Sequence, residues 1–196
     1  MFFWGEPDAS VTFCEDKYID VFWIAEYYNT LSAFLYIFVG MCFLKTKIST
    51  IAWALIGMGV GSILLHTTLR YYGQWADEIF MIMMTFRSLQ YICPYVKNIL
   101  LPMIICLYII FYKIFAVFLV FFIAINIPLL YIALKNNTIW GRGYVFLFIC
   151  GFICWCLDQL ACFYVQDYQL HAWWHILTSL SIFFAMMDLL QGEKRD

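Results

Sequence analysis

The sequence has 196 residues, of which 65% are hydrophobic and only 12% are charged, and its formal net charge is −2. Soluble domains usually contain about 45–50% apolar and about 25% charged residues. This composition excludes an ordinary water-soluble domain and a disordered chain, and with no basic block to contact phosphates it also argues against a nucleic-acid partner.

Seven apolar segments follow one another along the chain, separated by short polar breaks. A membrane-spanning helix needs about 20 predominantly apolar residues, and most of these segments approach that length. We therefore predict an all-α membrane protein whose residues 1–196 form one transmembrane domain, a bundle of seven helices. The predicted spans are 21–44, 48–69, 75–95, 98–111, 114–134, 144–164 and 172–190.

The basic residues are distributed unequally between the two sides of this bundle. The positive-inside rule therefore predicts a cytoplasmic C-terminus and a lumenal or extracellular N-terminus. No cleavable signal peptide is visible, so the first helix is expected to direct insertion, into the ER or Golgi membrane of a eukaryote or the cell membrane of a bacterium. On the C-terminal side lie Lys45, Lys47, Lys97, Lys135, Arg142, Lys194 and Arg195, and on the N-terminal side lie Lys17, Arg70 and Lys113.

The three histidines of the chain all fall at the N-terminal-side ends of predicted spans. His66 closes the second span, while His171 and His175 open the seventh. Residues four apart share a helix face, and this is the spacing by which two imidazoles reach one metal ion. A third histidine from another helix completes a three-histidine zinc site with an open fourth position. A single interfacial histidine is explained by hydrogen bonds to headgroups or backbone, but three at one depth favour zinc.

Polar residues near these histidines are candidates for catalysis. Asp77 and Glu78 open the third span on the same side, where a carboxylate can accept a proton from water and return it to a leaving group. Acids also stabilise the first turn of a helix, and spacing alone does not choose between the two residues. Ser62 lies one turn before His66, where its hydroxyl either donates to an oxyanion or packs between helices.

Asp158, Glu26 and Arg87 also fall inside predicted spans, where an unpaired charge is costly. Asp158 lies in the sixth span, roughly two turns from its N-terminal-side end, and Glu26 lies about one turn into the first. Each either holds a histidine ring as a hydrogen-bond acceptor or pairs with its own surroundings. Arg87 lies deeper in the third span and has no predicted partner.

Together these motifs resemble the alkaline ceramidase family, which belongs to a superfamily that also includes adiponectin receptors and Per1-like proteins. The run from His171 to Thr178, HAWWHILT, is close to the signature of that family. The other matching motifs are Gly57-Met58-Gly59 with Ser62 and His66, Asp77-Glu78, Trp155 with Asp158 and Cys162, and Ile24-Ala25-Glu26 with Asn29-Thr30.

The resemblance implies a seven-helix intramembrane zinc amidase. Its substrate would be ceramide, a membrane lipid, which is cleaved to a sphingoid base and a free fatty acid. The resemblance assigns zinc binding to His66, His171 and His175, general acid and base catalysis to Asp77, and oxyanion stabilisation to Ser62.

The resemblance also implies a disulfide between Cys14 and Cys162. This bond would tie the N-terminal segment to the end of the sixth helix. Both cysteines belong near the N-terminal side of the membrane, which is the oxidising side if the C-terminus is cytoplasmic. The alternative is that all 8 cysteines of the chain remain free thiols.

The N-terminal segment departs from the family pattern at a calcium site. The family site that this segment resembles consists of an Asp-Trp-Cys-Glu-x-Asn run and a later glutamate on the first helix. The later glutamate corresponds to Glu26. Here Thr12 replaces the aspartate and Lys17 replaces the asparagine. Calcium takes about six to eight oxygen ligands, and an ammonium group supplies none. We therefore predict that calcium is absent and that Lys17 takes its place, pairing with Glu15 and Glu26. The alternative is that Asp16 and Asp20 replace part of the missing ligand set.

Two other functions remain open at this point. The same zinc-hydrolase fold could act on another N-acyl lipid or on an ester lipid. Alternatively, a receptor-like or ion-handling protein with seven helices would use these histidines and acids to bind a ligand or relay protons, without tightly bound zinc or turnover. Metal analysis distinguishes this last class from the hydrolases, and a panel of lipid substrates distinguishes the hydrolases from each other.

Overall fold

The computed structural model describes residues 2–192, which form a bundle of α-helices without any β-strand. The predicted all-α class is therefore confirmed. A 3₁₀ turn at Gln166–Tyr168 joins the short seventh helix to the last one. The helices are α1 (Tyr27–Phe43), α2 (Ser49–Thr68), α3 (Tyr71–Ile92), α4 (Leu100–Ile110), α5 (Phe115–Asn136), α6 (Ile139–Leu160), α7 (Cys162–Val165) and α8 (Leu170–Gly192).

Four of the described helices, α2, α5, α6 and α8, are long and apolar enough to cross a membrane. Helices α1 and α4 are apolar but shorter, with 17 and 11 residues. Helix α3 has 22 residues but is the least apolar of the long helices, because it carries several polar and charged side chains. The helices are therefore those of a membrane protein, and seven crossings stay a prediction. Lys194 and Arg195, which contribute to the predicted sidedness, lie outside the described residues.

Two large groups of buried apolar side chains, with a smaller third between α5, α6 and α8, form the interior of the described bundle. The first lies between α1, α2, α3 and α8 and includes Leu55 and Met186. The second lies between α3, α4, α5 and the start of α8 and includes Ile82 and Trp174. Close van der Waals packing of this kind holds helices together in lipid, where the surrounding solvent is as apolar as the side chains.

Helix α1 begins at Tyr27 rather than at position 21, because the chain before it lies outside the helix and folds against the bundle. Glu26 is therefore the residue before the helix and not one turn inside it. The first amide groups of a helix lack partners within it. Here the Glu15 carboxylate accepts hydrogen bonds from the backbone N–H groups of Tyr28 at 2.7 Å and Asn29 at 2.9 Å. Glu15 thus caps α1 from a preceding part of the chain.

Burial of the Glu15 carboxyl makes the stability of the fold depend on pH. Burial raises the pKa of the Glu15 carboxyl from 4.5 to about 7, although the two backbone hydrogen bonds act in the opposite direction. The folded state therefore favours the protonated Glu15 carboxyl. The stability that this preference contributes is fully present below pH 4.5 and is lost as the pH rises through about 7. We expect the thermal stability of Glu15→Gln in detergent to fall less than that of the unmodified protein between about pH 5 and 8. Parallel pH profiles of the two proteins would contradict this prediction.

The N-terminal segment, residues 2–26, is attached to the end of α2 through backbone hydrogen bonds. The last carbonyl groups of a helix lack partners within it. The carbonyl of His66 accepts from the N–H of Glu26 at 2.9 Å, and that of Thr67 accepts from Ala25 at 3.0 Å. The carbonyl of Leu69 accepts from two more residues of the segment at 3.2 Å. The segment therefore covers the end of α2 that carries one of the three histidines.

A second attachment joins the same segment to the end of α6. Cys14 forms a disulfide with Cys162, and their Cα atoms lie 5.3 Å apart. The backbone N–H of Cys14 also donates to the Asp158 carboxylate at 3.3 Å. The segment is thus held from both sides of the bundle end at which the histidines lie.

Helix α6 covers residues 139–160 rather than the predicted 144–164. It starts early because the Thr138 hydroxyl accepts from the N–H of Gly141 at 2.7 Å, a common N-cap interaction. Arg142 consequently lies in the first turn of the helix and not in the preceding loop. At the other end, Asp158 lies in the last turn rather than roughly two turns inside the helix.

Helices α2 and α3 approach each other closely at two glycines. A Cβ atom at Gly61 would lie 2.7 Å from the carbonyl carbon of Ala76 and 2.8 Å from Cα of Asp77. A Cβ atom at Gly73 would lie 2.7 Å from Cα of Leu65. Small residues permit such crossings in membrane helices, and here the contacts are with backbone, which has little room to shift. The crossing brings the first half of α3 against the end of α2.

Candidate metal centre

Three histidines from two helices meet inside the bundle, at the end covered by the N-terminal segment. His66 comes from the end of α2, and His171 and His175 come from the start of α8. The ring of His66 lies 5.0 Å from each of the other two rings, which are 4.6 Å apart. One ligand atom from each residue lies within 4.8 Å of the other two. This spacing suits three ligands of one ion.

The surroundings of these nitrogens also fit a bound metal. All three side chains are buried, with His66 fully excluded from solvent. Nε2 of His66 and Nδ1 of His171 have no hydrogen-bond partner among the described residues. Buried polar atoms are nearly always paired, so unpaired ring nitrogens around one point need an explanation. An ion between the three rings would supply the missing partner.

Two of the histidine rings are held by acceptors on their outer nitrogens. Nδ1 of His66 lies 2.5 Å from the Glu26 carboxylate. Nδ1 of His175 lies 3.1 Å from the carbonyl oxygen of Asn29 and 2.9 Å from the hydroxyl of Ser32. An acceptor at Nδ1 fixes the proton on that nitrogen and leaves Nε2 free as a ligand. Metal-binding histidines usually have such a hydrogen-bond acceptor on the ring nitrogen that does not bind the metal.

The roles of Asn29 and Ser32 were not expected from the sequence. In the sequence, Ser32 is recognisable only as a small polar residue in an apolar segment, three positions after Asn29. That signal is common in membrane helices, where serine often bonds to its own backbone. Only the packing of α1 beside α8 makes these two residues partners of a histidine.

Phe13 covers the centre from the N-terminal segment. Its ring centroid lies 3.8 Å from that of His171 and 4.9 Å from that of His66. The disulfide at the adjacent Cys14 anchors this part of the segment. Phe13 therefore forms an apolar cover over two of the three rings, a role that the sequence pattern did not indicate.

A cavity of about 60 Å³ adjoins the histidines and contains the candidate catalytic side chains. It is lined by Ser62, Asp77 and Glu78 together with His171 and His175. The hydroxyl of Ser62 is buried and has no hydrogen-bond partner among the described residues. A free donor next to a possible metal centre is available for a substrate oxygen.

The two acids that the sequence left unresolved have different surroundings. Glu78 is buried, and its carboxylate accepts a hydrogen bond from Nε2 of Gln74 at 2.7 Å. The same Gln74 nitrogen also donates to the Ser10 hydroxyl at 2.7 Å, which links Glu78 to the N-terminal segment. Asp77 has no side-chain hydrogen bond to any described residue. Both acids line the cavity, but Glu78 has one carboxylate oxygen engaged and the other unpaired, whereas Asp77 has neither oxygen engaged by a described residue.

A second, larger cavity of about 420 Å³ continues from the first. Its volume lies within the range of about 300–1,000 Å³ that is usual for ligand pockets. The walls are mainly apolar but include the polar side chains of Asn126, Asn136 and Asp188. The two cavities share the wall residues Tyr36, Met58, Met81, Phe122 and Trp174.

Several predicted residues lie elsewhere. Asp158 has no hydrogen bond to any of the three histidines, and instead its carboxylate accepts from Cys14 and Gln159. Arg87 donates to the side-chain oxygens of Gln90 and Asn98 at 2.8 and 3.2 Å, so its described partners are amides near the end of α3 and not an acid.

Lys17 contacts one carboxylate and not two. Its ammonium forms an ion pair with Glu26 and donates to the backbone carbonyl of Glu15 at 2.7 Å. The Glu15 carboxylate is directed instead to the first turn of α1. The expected pairing with Glu15 therefore involves its backbone and not its side chain.

Comparison with known proteins identifies the family. The sequence profile of the Ceramidase family matches residues 5–192, and the chain belongs to this family. "Alkaline ceramidase 3" of Mus musculus is 24% identical over 225 residues, which cover 94% of this chain and 84% of that protein. "Alkaline ceramidase YPC1" of Saccharomyces cerevisiae is 28% identical over 247 residues, covering 95% and 77% respectively. "Alkaline ceramidase" of Arabidopsis thaliana is 26% identical over 220 residues, covering 96% and 85%. The resemblance drawn from the sequence motifs is confirmed.

Proposed function

We propose that this protein is an intramembrane, zinc-dependent amidase that hydrolyses ceramide to a sphingoid base and a free fatty acid. The observation that carries the proposal is the cluster of His66, His171 and His175, two of which have an unpaired ring nitrogen, beside a small cavity that also contains Ser62 and Asp77. Membership of the Ceramidase family implies a hydrolase that acts on an amide bond. The relatives named above are alkaline ceramidases, which supports ceramide as the substrate.

The two adjoining cavities suit the shape of such a lipid. Ceramide has one amide group between two long hydrocarbon chains. The amide fits the small cavity that holds the polar side chains, and a hydrocarbon chain fits the larger cavity with apolar walls. We place the chain across the bilayer seven times, with its N-terminal segment and the metal centre on the lumenal or extracellular side. The substrate then enters from the membrane, where ceramide is dissolved.

The residues around the small cavity have complementary tasks. Zinc held by the three histidines would supply a Lewis acid that polarises the amide carbonyl and lowers the pKa of a bound water molecule. The Asp77 carboxylate accepts a proton from the attacking water and delivers it to the amide nitrogen as the C–N bond breaks. The Ser62 hydroxyl donates a hydrogen bond to the carbonyl oxygen as negative charge develops on it. Phe13 restricts access of bulk water from the side of the N-terminal segment.

The crossing of α2 and α3 sets the position of Asp77 relative to the histidines, so Gly61→Ala is expected to lower hydrolysis strongly. The added methyl group meets the backbone at Ala76 and Asp77. Overpacking of this kind costs about 1–3 kcal/mol of stability. A displacement of about 1 Å at a reacting group can lower the rate about 10²-fold. The measurement is ceramide turnover beside thermal stability in detergent.

Gly57→Ala is the matched control for this prediction, since it lies one turn earlier on the same helix. Its methyl group would meet the ring of Phe80, a side chain that can rotate away, rather than backbone. We expect a smaller loss of turnover for Gly57→Ala than for Gly61→Ala. Equal losses would show that the close backbone crossing does not position Asp77.

The proposed function is tested by the zinc content and ceramide hydrolysis of protein purified without chelator. About one zinc per chain, together with turnover that is lost on chelation and restored by zinc, is the expected result. Zinc without ceramide turnover would shift the substrate to another N-acyl lipid or an ester lipid, which a panel with matched acyl chains identifies. Absence of zinc and of turnover would overturn the proposal and favour a receptor-like protein.

A further inference from the structure

The Lys17 ammonium, in the N-terminal segment, is connected to the histidine centre through a single residue, Glu26. Nζ of Lys17 donates to the backbone carbonyls of Phe13 and Glu15, both at 2.7 Å, and forms an ion pair with the Glu26 carboxylate. An ammonium group has three donors, so each of them has an oxygen partner here. The Lys17 side chain retains 26% of its exposure, whereas Glu26 is fully buried.

Glu26 connects this ammonium to a proposed metal ligand. One carboxylate oxygen pairs with Lys17, and the other lies 2.5 Å from Nδ1 of His66 and 3.2 Å from Nδ2 of Asn29. A fully buried carboxylate is costly unless a positive charge compensates it. A neutral metal-binding histidine does not supply that charge, and Lys17 is the only lysine or arginine in an ion pair with Glu26 among the described residues.

The oxygen atoms near Nζ do not make a calcium site. Calcium takes about six to eight oxygens, whereas the ammonium is surrounded by two carbonyls and one carboxylate. The Glu15 carboxylate is engaged by the first turn of α1. The carbonyl of Thr12 accepts from Nε2 of Gln159 at 3.0 Å and is used on the side of α6. Nζ of Lys17 itself occupies the space between these two carbonyls and the carboxylate.

We propose that Lys17 acts as a built-in cation, which holds Glu26 and through it the ring of His66, so that zinc binding and hydrolysis need no calcium. Lys17 is thus a positioning residue, and this role rests on the proposed zinc function. Without the ammonium, the Glu26 oxygen that faces away from His66 would be a buried carboxylate oxygen with no partner among the described residues. The Glu26 side chain would then be free to turn toward solvent, which removes a firm acceptor from His66. Loss of such an outer partner typically lowers metal affinity about 10- to 100-fold.

The first test compares zinc affinity in the unmodified protein, Lys17→Met and Lys17→Arg, by competition with a chromogenic chelator. Methionine has a similar length but no charge, whereas arginine keeps the charge. We expect zinc affinity to fall about 10- to 100-fold in Lys17→Met and to be largely restored in Lys17→Arg. Unchanged affinity in Lys17→Met would overturn the proposal, as would equal weakening in both variants.

Arg70→Met is the matched control for loosening of the N-terminal segment. Arg70 pairs with Asp8 at 3.0 Å and donates to the carbonyl of Glu6, so it attaches the same segment without contacting Glu26. We expect zinc affinity of Arg70→Met to match that of the unmodified protein. A loss as large as that of Lys17→Met would show that attachment of the segment, and not the charge of Lys17, supports the centre.

Calcium provides a second test that does not depend on zinc or on the folding of a variant. Added calcium chloride is expected to leave the thermal stability of the unmodified protein unchanged. Stabilisation by calcium, or stoichiometric binding of ⁴⁵Ca, would overturn the proposal that Lys17 replaces it. If the unmodified protein contained no zinc, the zinc function would fail, and the calcium measurement would still decide whether Lys17 occupies the cation position.

Discussion

His171→Ala is expected to remove bound zinc and ceramide hydrolysis together. The three rings are proposed as the only protein ligands of the ion, so two ligands remain after the substitution. His171 also lies against Phe13, with a centroid distance of 3.8 Å, and its loss opens the centre toward the N-terminal segment. The measurements are zinc per chain by elemental analysis and fatty acid released from ceramide.

Thermal unfolding gives an independent measure of the same site. A ligand that binds only the native state stabilises it, by about 2.7 kcal/mol when its free concentration is 100 times its dissociation constant. Chelation should therefore lower the unfolding temperature of the unmodified protein and leave that of His171→Ala unchanged. This comparison separates loss of the metal from general damage to the fold.

Trp173→Phe is the matched control, because Trp173 lies in the same turn of α8 but is half exposed on the outside of the bundle. It should retain zinc and hydrolysis. Retention of both zinc and turnover in His171→Ala would contradict the proposed centre, whereas loss of turnover with zinc retained would limit His171 to a role in catalysis.

The metal centre is the part of this site that the sequence predicts best. His171 and His175 are four residues apart on one helix, so their proximity follows from helix geometry alone. His66 comes from another helix, and its proximity depends on the packing of α1 between α2 and α8. The sequence nevertheless indicated that His66 lies near the other two, because all three residues fall at the same depth in a membrane bundle. Polar side chains at one depth of such a bundle tend to pack together in its interior.

Spacing in the sequence does not distinguish Asp77 from Glu78, and the proposal that Asp77 is the catalytic acid draws on their contacts in the structure. Adjacent residues on a helix face about 100° apart, and the apolar pattern of α3 is too weak to decide which side faces the centre. The proposal favours Asp77 because Gln74, one turn before Glu78, bonds to one oxygen of the Glu78 carboxylate and connects it to Ser10. Such a hydrogen bond between a helix and an irregular segment has no periodic signal in the sequence.

Helix ends were predicted less well than helix interiors for a related reason. Apolar runs report where lipid or core surrounds a helix, but a helix begins where its first amide groups find acceptors. For α1 the acceptor is Glu15, which lies outside the helix and its immediate flank. Neither its contact with α1 nor the disulfide between Cys14 and Cys162 follows from spacing, and the family resemblance alone suggested the disulfide.

Asp77→Asn is expected to lower ceramide hydrolysis by about 10²- to 10⁴-fold while zinc remains bound, the usual range for loss of a general acid and base. Asparagine has nearly the same shape as aspartate but does not accept a proton from water or deliver one to the amide nitrogen. Because the Asp77 side chain has no hydrogen bond to a described residue, the substitution breaks no contact that supports the fold. The measurements are single-turnover hydrolysis of ceramide and zinc per chain.

Glu78→Gln is the matched control for Asp77→Asn. The amide oxygen of glutamine can still accept the hydrogen bond from Gln74, so the link to the N-terminal segment persists without the charge. If proton transfer depends on Asp77, Glu78→Gln should lose much less activity than Asp77→Asn. A larger loss in Glu78→Gln would transfer the catalytic role to Glu78, because the two variants differ only in which of the neighbouring carboxylates has become an amide.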